Sequence, residues 1–181
     1  MSTTDTLTQT KWTIDTAHSE VQFKVKHLVI STVTGTFKSF KGNVSTESED
    51  FDNAKVEFSI DADSIDTNNT DRDNHLKSAD FFEVATYPTL TFANGLLTKS
   101  GENYTLSGEL TIRDVTKKVE LGVEYGGTAK DPWGNTKAGF EVTGKINRKE
   151  FGLTWNAATE AGGVLVGEDI KLHINIQLAK N

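Results

Sequence analysis

Apolar side chains recur at every second position along most of this chain. Val21, Phe23 and Val25 alternate with Gln22, Lys24 and Lys26, and Val56, Phe58 and Ile60 with Glu57, Ser59 and Asp61. The longest run sets Ile170, Leu172, Ile174, Ile176 and Leu178 against Lys171, His173, Asn175 and Gln177. In an extended chain successive side chains point to opposite faces, so each run reads as a strand with one dry and one wet side. The pattern predicts strands at 11–15, 20–30, 34–45, 54–61, 89–97, 103–113, 117–126 and 137–147, with 168–179 closing the sheet as a ninth. Lys41-Gly42-Asn43, Asn94-Gly95, Ser100-Gly101, Gly126-Gly127, Asp131-Pro132-Trp133-Gly134 and Gly162-Gly163 read as turns between them. Arg113-Asp114 reads as a tight hairpin that lacks the usual glycine.

One segment departs from the alternation. Between Asn68 and Phe82, Thr70-Asp71-Arg72-Asp73 precedes Leu76, Ala79 and Phe82 at a spacing of three, which predicts a helix of two or three turns. Residues 1–10 are Thr-rich and read as a flexible tail, leaving 11–181 as one domain. A sheet with one apolar face and so little helix must cover itself, as a sandwich or a closed barrel. Residues 169–179, at ~3.3 Å each, would reach about 36 Å, roughly twice an ordinary strand. Tilted by about 40°, such strands make a tall, narrow barrel, and eight of them enclose room for side chains or one slim ligand.

The composition of the inward parity bears on what such a barrel could hold. There are ten Phe and one Met, and almost no ionisable group falls on the apolar parity. A polar guest would lose its hydration uncompensated. An apolar chain would gain about 0.8 kcal/mol per buried methylene. The same residues could equally fill the barrel solid. Nineteen basic and 26 acidic residues give a net charge of −7, which argues against nucleic-acid partners and against attraction to anionic membranes. The absence of cysteine excludes disulfides and thiolate chemistry. No apolar run approaches the ~18 residues of a membrane-spanning helix. The start has no basic n-region or apolar h-region, so as written the chain is cytoplasmic; removal of a leader would make it periplasmic.

Several blocks together resemble the YceI-like, or polyisoprenoid-binding, family. They are Trp12-Thr13-Ile14-Asp15 with His18-Ser19, Phe23-Lys24-Val25-Lys26-His27, and Gly35-Thr36-Phe37 with Phe40-Lys41-Gly42. Arg72-Asp73-Asn74-His75-Leu76 with Asp80-Phe81-Phe82 follows, then Tyr87-Pro88 with Phe92. Gly108-Glu109-Leu110-Thr111-Ile112, Val115-Thr116-Lys117-Lys118-Val119 and Arg148-Lys149-Glu150-Phe151-Gly152 complete the set, which covers residues 12 to about 178 in order. The resemblance implies an all-β fold, an extended antiparallel lipocalin-like β-barrel with one short helix. It also implies a long isoprenoid or other amphiphilic lipid as partner in the central pore, and no catalytic residue or cofactor. Many relatives carry Gly where this chain has Asp114, which leaves the turn type there open.

The candidate chemical groups read as structural. His18, His27, His75 and His173 show no metal-ligand spacing, His173 lies on the polar parity, and His18 and His75 suit hydrogen-bonded structural roles. Ser19 beside His18 points to the opposite face of a strand, which defeats a dyad. Asp71, Arg72 and Asp73 read as helix-end electrostatics with a structural ion pair. The pore lining expected from parity is Phe23, Val25, Phe37, Phe40, Phe58, Ile60, Phe92, Leu110, Leu121, Val123, Phe140, Phe151 and Trp155, with Phe82 at a mouth. Phe37 and Phe40 differ in parity, so both can face inward only across a bulge. Trp155 and the Gly-rich segment Ala161–Gly167 are candidates for the mouth opposite the helix. The expected function is sequestration or transport of a long hydrophobic lipid without chemistry. Two alternatives stay open: a filled barrel acting as a protein-interaction module, for instance as a homodimer, and a barrel enzyme that modifies a lipid.

Overall fold

The computed structural model describes residues 9–48, 50–156 and 165–181. Its strands are β1 (Thr10–Ile14), β2 (Glu20–His27), β3 (Ser31–Phe37), β4 (Phe40–Thr46), β5 (Lys55–Asp61), β6 (Ile65–Asp66), β7 (Thr89–Ser100), β8 (Asn103–Ile112), β9 (Val115–Lys130), β10 (Thr136–Asn147) and β11 (Val166–Lys180). One helix, α1 (Thr70–Leu76), stands between β6 and β7.

These segments make eight antiparallel ribbons. β1 and β2 lie along the same edge of β11 and form one ribbon, broken by a 3₁₀ turn at Thr16–His18. β4 and β3 pair with β1 and β2 respectively, and β5 and β6 with β4 and β3, so each pair is likewise one bent ribbon. β7 to β11 follow in chain order, and β11 returns to β1 and β2 to close the barrel. Apart from that closing pairing, each ribbon pairs with its neighbour in sequence, and every pairing is antiparallel, an up-and-down meander.

The breaks correct the sequence reading. Residues 34–45 are two strands separated at Lys38 and Ser39, so Phe37 and Phe40 are both buried without a bulge. Lys41-Gly42-Asn43 is strand: a Cβ on Gly42 would lie 2.7 Å from Ile14 and 2.8 Å from the Glu57 carbonyl oxygen, so glycine serves close approach. Asn94-Gly95 is a bulge inside β7, with Asn94 at φ 54°, and Gly127, at φ 113°, lies at an irregularity within β9. Residues 1–8 and Gly162-Gly163 lie outside the described residues, and Thr10, expected in the tail, already belongs to β1.

The helix is shorter than expected. Asn69, not Thr70, is the N-cap and accepts from the Arg72 N–H, and the helix stops at Leu76. The Ser78 hydroxyl donates to the His75 carbonyl and diverts the chain, and Phe82 N–H returns to the Leu76 carbonyl. Arg72 makes no ion pair with the neighbouring acids; it donates to the hydroxyl and carbonyl of Thr67, while Asp73 accepts from the Thr67 N–H and hydroxyl. In the β8–β9 turn the left-handed residue is Arg113, at φ 56°, so Asp114 needs no glycine-like conformation. The Arg113 side chain reaches Glu83 at 3.3 Å and lies over Tyr87, tying the segment after the helix to this hairpin.

Candidate functional site

The inward faces of the ribbons do not meet. On β11, Ile170, Leu172, Ile174 and Ile176 carry the inward parity yet are only half-buried, as are Phe23 and Val25 on β2 and Phe58 on β5. Side chains that face inward and still keep accessible surface are the walls of a void. That void has a volume of about 220 Å³, against the ~10–15 Å³ needed to admit one water. Its accessible wall is wholly apolar. Val166 and Leu178 both line it, and the β11 backbone between them spans about 40 Å. At a tilt of about 40° that is roughly 30 Å of barrel axis.

One end of the lumen is stopped by aromatic rings. Phe51, in the β4–β5 loop, is 3% exposed and packs against Trp12 (5.2 Å between ring centroids), Tyr125 (5.8 Å) and Phe140 (4.8 Å). Tyr104 completes the layer beside Phe140 and Tyr125.

The other end is roofed by α1 and the chain that follows it. Phe82 meets Phe37 edge-on at 5.9 Å, and Phe81 packs on His75 (5.1 Å) and Trp155 (5.4 Å). Because both phenylalanines lie beyond the helix, in irregular backbone, both can line the lumen. Trp155 also meets His75 at 4.6 Å, so it belongs to the helix end and not to the opposite mouth. Ala161–Val164 lie outside the described residues, but Leu165 and Val166 border the same end.

A buried cation holds that end together. Arg148 is 2% exposed and donates to four carbonyls: Leu153 (2.6 Å), Trp155 (2.8 Å), Gly167 (2.8 Å) and Val166 (3.3 Å). It therefore binds both stems of the 153–167 connection. Asn156 adds a second clasp, donating to the Val166 carbonyl and accepting from the N–H groups of Leu165 and Val166. Burial lowers the Arg148 pKa and Glu168 acts in the opposite sense.

The parity list maps onto this geometry in most places. Phe23, Val25, Phe37, Phe58, Ile60, Phe82, Phe92, Leu110, Leu121, Val123 and Phe140 lie on the lumen wall. Phe40, Phe151 and Trp155 do not. Phe40 stacks behind Phe58 at 5.8 Å, Phe151 is turned by the 3₁₀ segment Arg148–Phe151 into a fully buried position, and Trp155 is held by His75 and Phe81. The list also left out wall residues such as Leu106, Val142 and the five inward positions of β11 from Ile170 to Leu178. Their alternation was the signal, and it was plain in the chain. Among the described residues Gln22, Glu57 and Arg148 are the polar ones at the wall, yet Glu57 is exposed to solvent and the Arg148 head is taken up by carbonyls.

The titratable groups of the motif blocks are joints of the barrel. His18 Nδ1 is 2.9 Å from Asp15, and His75 Nε2 is 2.9 Å from Asp80. His173 is part-exposed beside Glu141 on the outer face, at 2.6 Å. Asp15 also pairs with Lys137 at 2.9 Å, and Lys137, His18 and their hydrogen bonds pull its carboxyl from 3.8 down to about 2. Ser19 Oγ donates to the Asp15 carbonyl and accepts from Gln177 N–H, fastening the β1–β2 joint to β11. Among the described residues no cluster of three His, Asp or Glu could hold a metal ion, and no helix is long and apolar enough to cross a membrane.

Comparison with known proteins places these features. The YceI-like domain model matches residues 12–178. A UPF0312 protein of Staphylococcus aureus (strain USA300) is 39% identical over 171 residues, 94% of this chain and 98% of that protein. The Campylobacter jejuni YceI protein superposes with a TM-score of 0.68 at 36% identity, over 92% of this chain and 96% of the other. A polyisoprenoid-binding domain from Saccharophagus degradans shares the fold, with a TM-score of 0.65 at 14% identity over 94% of this chain and 98% of that one. A closed meander with these motif joints, matched over nearly its whole length by sequence and by structure, belongs to the YceI-like family.

Proposed function

We propose that this protein sequesters or carries one long apolar lipid, an isoprenoid or a similar amphiphile, in the barrel lumen and performs no chemistry on it. The observation that carries the reading is the lumen itself: long, narrow, about 220 Å³, with no polar surface on its wall. Such a space excludes charged guests, which would lose hydration without a partner. About ten methylenes would gain roughly 8 kcal/mol gross there, before the cost of ordering the chain. Among the described residues the polar side chains at the wall leave no polar surface accessible to the lumen, so none is placed to move a proton of a guest, which favours carriage over catalysis. The Saccharophagus degradans domain, described as polyisoprenoid-binding, lends support at the level of fold. A hollow of this size also disfavours the filled-barrel alternative.

Native mass spectrometry of the purified protein tests the reading. Carriage expects extra mass that leaves with organic extraction and returns when an apolar chain is added. A clean apo mass that takes up no fatty acid or prenol would overturn it.

A further inference from the structure

The turn between β2 and β3 is made of residues ill-suited to its shape. Leu28 and Val29 sit at φ 53° and 66°, the left-handed region that hairpins ordinarily fill with glycine or asparagine. Both are bulky, and Val29 is branched at Cβ. Their side chains are not buried in return: Leu28 is 40%, Val29 70% and Ile30 85% exposed. Neither turn geometry nor packing accounts for three consecutive aliphatic residues held in water.

Their position gives them a use. The Leu28 N–H donates to the Leu165 carbonyl at 2.9 Å, and the nearby Val25 and Val166 line the lumen, so the tip stands at its rim. The outer face behind it is basic although the chain as a whole is acidic. Lys24 pairs across to Lys171, and Lys171 to Lys145, a row on three adjacent strands, and Lys26 lies between that row and the tip. Glu168 and Asp169, the nearest acids in sequence, are engaged by Lys149 (2.9 Å) and Lys145 (3.6 Å). Lys24, Lys26 and Lys171 have no carboxylate within 4.0 Å among the described residues.

We propose that this corner docks on an anionic lipid bilayer, with Val29 and Ile30 entering the boundary between headgroups and acyl chains and Lys24, Lys26 and Lys171 lying against the lipid phosphates. An apolar insertion combined with a basic patch is the two-signal arrangement that peripheral membrane binding requires. The docking rests on the carrier reading for its purpose, since it sets the rim of the lumen against the phase from which a lipid would come. The net charge of −7 hides this face because most acidic residues lie elsewhere and Glu168 and Asp169, the two beside it, are paired with Lys149 and Lys145.

The test is flotation of the full chain with phosphatidylcholine vesicles, with and without phosphatidylglycerol. The wild type should float with the phosphatidylglycerol vesicles and be released by salt. In a Val29→Asn, Ile30→Asn double variant, asparagine suits the left-handed backbone of Val29 and replaces an Ile30 side chain that is 85% exposed, so the fold is kept, and partition should fall by about tenfold or more. Lys24→Gln and Lys171→Gln should each cost about fivefold on anionic vesicles and nothing on neutral ones. Trp133, 83% exposed at the far end, is the control, and Trp133→Ala should change nothing. No flotation of the wild type, flotation indifferent to the Asn variant, or a variant that only splits a dimer would overturn the proposal. Uptake of cis-parinaric acid is measured in parallel. Uptake without flotation sinks the docking and leaves carriage standing; flotation without uptake sinks carriage and the purpose given to the docking.

Discussion

Asp15 shows how much of a joint one side chain can carry. It caps the 3₁₀ turn at Ala17 N–H, pairs with His18, and reaches across to Lys137 on β10. Its carboxyl is held at about 2 where an unfolded chain would have 3.8, so the stability it adds is complete above about pH 4 and disappears as pH falls through 2. Asp15→Asn should therefore cost about 1 kcal/mol at pH 7, and denaturant midpoints of the two proteins should converge as the pH approaches 2. Arg148 is the second such residue. Removing its head as Arg148→Met strands four carbonyls, and chemical denaturation should show a loss of about 3 kcal/mol. Arg148→Lys should recover only part, because a point charge cannot meet a planar fan of acceptors. Neither role is legible from spacing alone. The motif blocks mark these positions, yet what they fasten lies more than a hundred residues away for Asp15 and across a connection for Arg148.

Among the elements, alternation was a faithful guide to where strands run and a poor one to where they bend. The period of two survives a bulge only as a change of parity, and Asn94-Gly95 reads in the chain as a turn because bulges and turns draw on the same residues. Glycine inside a strand has a further use that the pattern does not reveal. A Cβ on Gly108 would fall 2.4 Å from the Phe92 ring, and one on Gly35 would fall 2.3 Å from that of Phe23. Each ring lies over a neighbouring glycine, which keeps it against the wall. Gly108→Val should push Phe92 into the lumen, lowering uptake of an apolar probe severalfold and costing about 1–3 kcal/mol in stability. The capping pattern locates the helix start to within a residue. The helix is overestimated at its end because Ser78 competes for the His75 carbonyl, a local contest that a spacing of three does not register.

At the scale of the molecule, a single apolar face with one short helix to cover it requires the sheet to cover itself, as a sandwich or a barrel; strand length and the family resemblance point to the barrel. Whether the interior is solid or hollow was beyond the pattern, because a filled core and a lumen use the same residues on the same parity. The distinction lies in how far the ribbons stand apart, which strand number and tilt determine jointly. Two substitutions separate space from polarity. Ile174→Trp fills the bore and should abolish uptake of cis-parinaric acid while thermal unfolding moves little. Phe58→Asp places an unpaired carboxylate on the wall and should lose both uptake and about 3 kcal/mol of stability.

The ring of Trp12, Phe51, Tyr104, Tyr125 and Phe140 gives this tube a direction. On the carrier reading proposed above, a vessel stoppered at its base would admit a guest only through the end that α1 roofs, greasy end leading, and would leave any hydrophilic terminus outside with the solvent. Two guests could not pass one another, so one must depart before the next arrives, by the path it came. The depth of the vessel then works as a ruler: tails that outreach the stopper would protrude at the brim, and those far shorter would leave emptiness beneath them.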